Sequence, residues 1–120
     1  MNIEIIDNRK IVLKENYNDG YIKYIITFNL ETKAQTRYAY DRRGNMIISH
    51  FLFPSYERKI MYYYNSDNTL AATINIETGS IARFRIYDYD RNGNQEGFTL
   101  FFIEDVESFM ENLNLSKIIK

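Results

Sequence analysis

A curved antiparallel β-meander of about eight or nine strands, with one C-terminal α-helix packed against it, is the fold this sequence predicts. Three observations predict it. Turn residues recur at short, even spacing along most of the chain. The runs between them are β-branched and aromatic, and several alternate apolar with polar side chains. The period becomes helical only near the end. The chain therefore reads as mainly β, a single domain over residues 1–120, with strands across about 2–103 and a helix at about 105–114.

Each element has a local reason. The segments Asn18-Asp19-Gly20, Arg43-Gly44-Asn45, Ser66-Asp67-Asn68, Thr78-Gly79-Ser80 and Asn92-Gly93-Asn94 supply the Gly and Asn that tolerate positive φ in tight hairpins. Strands are expected between them at about 2–6, 10–17, 21–30, 35–41, 46–53, 58–65, 70–76, 81–90 and 97–103. Pro54 falls between two of these, where a missing N–H costs nothing. In 21–28, Ile22, Tyr24, Ile26 and Phe28 point one way while Lys23 and Thr27 point the other. In 81–86, Ala82, Phe84 and Ile86 oppose Arg83 and Arg85, the pattern of a half-buried strand. At the end of the chain Val106, Phe109, Met110 and Leu113 fall on one face of a helix. Asp105 is its expected N-cap, and Glu104, Glu107 and Glu111 suit the positive end of the helix dipole.

Composition supports this reading. A chain of 120 residues can bury roughly two thirds of its unfolded surface, so no staple is required. Eleven Tyr and eight Phe raise the aromatic content to 16%, which favours pleated surfaces.

The chain contains an internal repeat. Thr27-Phe28-Asn29-Leu30-Glu31-Thr32 matches Thr73-Ile74-Asn75-Ile76-Glu77-Thr78, and Tyr40-Asp41-Arg42-Arg43-Gly44-Asn45 matches Tyr89-Asp90-Arg91-Asn92-Gly93-Asn94. Between them Arg37-Tyr38 echoes Arg83-Phe84, and Tyr62 to Asn68 is a looser third copy. Hairpins that stack only on their neighbours are how a meander grows. The string Tyr-x-Tyr-Asp-x-x-Gly-Asn, at 38–45 and 87–94, resembles the tyrosine–aspartate repeats of Rhs-type shell proteins. The resemblance covers those two short stretches and implies hairpins there. Members of that family are far longer, with many repeats wrapping a cavity, and this chain departs from them in length.

The chemistry open to the chain is limited. With no cysteine there is no disulfide scaffold, thiolate metal site or cysteine nucleophile. His50 is the only histidine and lies in an apolar strand, where a packed side chain is the ordinary reading; Ser49 beside it points to the opposite face. Asp88, Asp90, Asn92 and Asn94 alternate like the start of a calcium loop, but Tyr89 and Arg91 intervene and no helix flanks them. No phosphate-binding glycine loop or nucleophile elbow is present, so no enzyme, metal or cofactor is expected. Tyr62, Tyr63, Tyr64, Phe101 and Phe102 would suit base stacking, but a net charge of −1 argues against nucleic acid. No apolar run approaches the ~18 residues of a membrane helix, and the N-terminus lacks a signal peptide, so a cytoplasmic protein without a membrane partner is expected.

The strands 46–53, 59–64 and 98–103 are apolar on both faces, and one short helix covers only part of one face. Three outcomes follow: the sheet closes on itself, it pairs with a copy, or it docks another protein. The leading expectation is a non-enzymatic protein-binding module, a small inhibitor or immunity-type protein that masks its partner. Its candidate partner-binding residues are Tyr62, Tyr63, Tyr64, Asp88, Asp90, Glu104, Asp105, Glu107 and Glu111. The alternatives are a self-assembling shell or phage subunit, and a small-ligand binder or enzyme using His50, Tyr40 and Tyr64.

Overall fold

The computed structural model of the chain describes residues 2–6 and 9–120. Its strands are β1 (Asn2–Ile6), β2 (Lys10–Asn16), β3 (Ile22–Asn29), β4 (Gln35–Tyr40), β5 (Met46–Phe53), β6 (Tyr56–Tyr64), β7 (Leu70–Glu77), β8 (Ala82–Tyr89) and β9 (Gln95–Ile103). They are hydrogen-bonded in chain order as one antiparallel meander, with β1 and β9 as its end strands. Every strand lies within two residues of its expected bounds. The largest differences are the starts of β6 and β9, both two residues early. Pro54-Ser55 is a turn of only two residues, so pairing resumes at once. The loop before β9 spans 90–94, and pairing resumes at Gln95.

Four loops share one geometry: 17–21, 41–45, 65–69 and 90–94. In each, the first residue's N–H donates to the fifth residue's carbonyl, as in Asp41 to Asn45 at 2.8 Å and Asp90 to Asn94 at 2.9 Å. The fourth residue's N–H donates back to the first carbonyl, and that fourth residue is left-handed: Gly20 at φ 92, Gly44 at 85, Asn68 at 70 and Gly93 at 83. This is the three-residue hairpin loop, a turn followed by a left-handed residue. In two copies an Asp locks the loop. Asp41 Oδ1 accepts from the N–H groups of Arg43 and Asn45, and Asp90 Oδ1 accepts from those of Asn92 and Asn94, all at 2.9 Å. The loops start 24, 24 and 25 residues apart, so each repeat is two strands.

Packing groups the chain into two compact units, Met1–Lys59 and Ile60–Lys120, with the boundary inside β6. No described residue of the first unit is fully buried. The second unit has a core: Ala72 and Ile74 at 0% exposure, Ala82 and Phe84 at 5%, and Ile103 at 6%. The helix α1 (Val106–Asn112) lies over it, with Val106, Phe109, Met110 and Leu113 packed against the cluster. The Phe109 ring meets Phe84 edge-on at 5.1 Å. Asp105 caps the helix, its Oδ1 accepting from the Ser108 N–H at 3.1 Å. Leu113 is extended and ends the helix, and a 3-10 turn follows at Leu115–Lys117. The last residue is tied back: the Lys120 N–H donates to Asn65 Oδ1 at 2.9 Å, and its carbonyl accepts from the Ser66 N–H at 3.0 Å.

Candidate functional site

The candidate site of the second unit is β9. As an end strand it has one row of backbone N–H and C=O groups without a neighbouring strand. From Gly97 to Ile103 it carries no charge and no proline. Phe98 is 52% exposed, Leu100 37%, Phe101 47% and Phe102 65%. Alternation explains the placement. Ile103 enters the core, and Phe101, on the same face, stands 6.0 Å from the Phe84 ring. Phe98, Leu100 and Phe102 take the other face, across from Tyr87, Arg85 and Arg83 of β8. The Arg85 guanidinium lies 5.5 Å from the centre of the Phe98 ring. Among the described residues neither Arg83 nor Arg85 has a carboxylate partner.

β9 begins in a cleft of about 740 Å³ whose walls hold Asp67, Asp88, Asp90 and Glu96. Arg91 and Lys120 are the cations there, so carboxylates outnumber them. The Asp67 carboxyl is held below the usual range chiefly by the Thr69 hydroxyl, helped by the Thr69 N–H at 3.0 Å. Partial burial pushes the Tyr89 phenol up, and its hydroxyl donates to the Leu70 carbonyl at 2.7 Å.

The residues expected to bind a partner separate into several places. Asp88 and Asp90 meet in this cleft, although one Asp90 oxygen is engaged by its own loop. Glu107 and Glu111 are exposed on the helix, Glu104 is exposed just before it, and the Asp105 carboxylate serves as the cap. Tyr63 packs against the core cluster, where burial raises its phenol pKa, while Tyr62 and Tyr64 are half-buried on the opposite face of β6. The exposure of Phe98 and Leu100 was not among the expected site residues. The signal was present, since the last strand of a meander has to be an end strand.

In the first unit His50 Nε2 lies 2.6 Å from Glu57 Oε1, and the His50 side chain is 15% exposed. It borders a small cavity that Tyr40 and Tyr64 do not line. Tyr40 instead accepts the Tyr17 hydroxyl at its carbonyl, at 2.7 Å. Among the described residues no group of three His, Cys, Asp or Glu could hold a metal ion, and no helix is long and apolar enough to cross a membrane. Comparison with protein-family models, with curated proteins and with solved structures finds no match to this chain.

Proposed function

We propose that the chain is a non-enzymatic protein-binding module that docks a partner along β9. The observation that carries this reading is an aromatic end strand, uncharged from Gly97 to Ile103, with Phe98 and Phe102 more than half exposed. Folded proteins ordinarily blunt such an edge with charge, proline or a covering element. Left open, it is suited to accept an extended segment, with the backbone giving affinity and the side-chain rows giving specificity. The carboxylates at the start of β9 favour a partner that is basic at that end. In its most concrete form the module is a small inhibitor of immunity type that masks a basic active surface. The self-assembly reading uses the same strand. In the antiparallel pairing that sets Phe98 against Phe102 of a second copy, Glu96 would face Glu104, and that like-charge pair disfavours this register.

The test compares the tagged wild-type chain with Phe98→Lys/Phe102→Lys, reading native mass after retention from lysate at low and high salt. A stoichiometric foreign protein that is retained by the wild type, lost by the folded variant and weakened by salt supports the reading. A partner retained equally by both chains refutes docking at β9. A homo-oligomer without a guest favours self-assembly.

A further inference from the structure

We propose that the cavity over Ala39 in the first unit binds a small aromatic carboxylate, a ligand of about the size of benzoate. The site is independent of β9. The strand register builds it. Tyr24, Ala39 and Ile48 are cross-strand neighbours on β3, β4 and β5, and Ile26, Arg37 and His50 form the adjoining row. Residues two apart on a strand share a face, so these six positions form one patch. Ala39 is the only small side chain among them, and the dent it leaves measures about 250 Å³, with Lys59 completing the rim. Pockets for drug-sized ligands run ~300–1,000 Å³, so this one selects something smaller.

The chemistry of the walls sets the class of ligand. Tyr24, Ile26 and Ile48 offer a ring-sized apolar surface. Arg37 and Lys59 supply two positive charges, and among the described residues neither has a carboxylate partner. Arg37 is held by a neutral group: with its amide turned to accept, the Gln35 oxygen takes bonds from Arg37 Nε and Nη2 at 3.0 and 3.1 Å. Of the nearby carboxylates, Glu57 is engaged by His50 at 2.6 Å, and Glu15 sits by the Tyr24 phenol, whose pKa it raises. A planar carboxylate is the natural partner of a guanidinium, and Lys59 adds a second cation.

His50 is the only histidine, so its ring protons report the site without assignment of the rest of the chain. The full chain is titrated with sodium benzoate and followed by NMR, with sodium chloride and benzyl alcohol as controls. The expected result is a saturable shift of the His50 ring signal in roughly the millimolar range, absent with both controls. Ala39→Phe fills the dent and abolishes it. Arg37→Gln, at an exposed position that does not threaten the fold, weakens binding about tenfold or more. A linear drift matched by sodium chloride overturns the proposal, as does equal binding of benzyl alcohol or undiminished binding by Ala39→Phe.

Discussion

Truncating Ile74 to Ala tests the core of the second unit, because among the described residues Ile74 is the one large side chain removed entirely from water. The substitution deletes three carbons, worth about 0.8 kcal/mol each, or about 2.4 kcal/mol of transfer free energy. Its neighbours Ala72 and Ala82 are too short to fill the space, and Phe84 and Ile103 are fixed under the helix, so a cavity remains. The cavity brings the expected loss to about 3–4 kcal/mol, a large part of the ~5–15 kcal/mol of an ordinary domain. Urea unfolding followed by far-ultraviolet circular dichroism reads this as a midpoint lowered by about 1.5–2 M at unchanged slope, for a slope near 2 kcal/mol per M. Ile81→Ala is the control: at 59% exposure it should change stability by less than about 0.5 kcal/mol. Equal midpoint shifts for the two variants would refute the placement of the core.

Other perturbations have definite expected outcomes. Asp105→Ala removes the side-chain acceptor that caps the helix N-terminus and should cost about 1 kcal/mol in the same assay, with Asp105→Asn close to wild type. Gly93→Ala places a Cβ at φ 83 and should cost about 1 kcal/mol, whereas Gly97→Ala, with open space around it on β9, should be neutral. Burial raises the phenol pKa of both Tyr63 and Tyr89. Their contribution is therefore fully present below about pH 10, the unfolded value, and is lost as pH rises through the folded values. Tyr63→Phe should flatten the alkaline decline in a melting-temperature series against pH. Because Asp67 is depressed, acid acts in the opposite sense: its contribution is present above the ordinary carboxylate pKa and is lost as pH falls through the folded one.

Much of the fold was legible because the turns carry their own chemistry. Asp41-Arg42-Arg43-Gly44-Asn45 and Asp90-Arg91-Asn92-Gly93-Asn94 specify both an Asp that locks the loop and a left-handed glycine, so strand ends and pairing follow from local residues. The 17–21 loop belongs to the same series, yet Tyr17 stands where the others have Asp or Asn, and only backbone geometry reveals the kinship. The helix was legible from its apolar period, but its end was not. Leu113 continues that period while adopting an extended backbone. The core was harder to read, since a run such as Tyr62-Tyr63-Tyr64 looks like one patch until alternation sends Tyr63 inward. The His50–Glu57 pair was missed because β6 was expected to start after Glu57. The two-residue Pro54-Ser55 turn brings that strand forward and puts Glu57 within reach. The cleft that joins Asp67 to Asp88 and Asp90 depends on contacts between separate hairpins, which no single stretch of sequence encodes.

Docking at β9 is tested most directly by amide hydrogen exchange across Gln95–Ile103, measured on the dilute chain alone and again with the protein it retains. An open end strand should exchange faster than β7 and β8 in the free chain, and binding should slow it selectively. Slow exchange in the free, dilute monomer, or protection on binding that leaves β9 unchanged, would contradict a docking role for this strand.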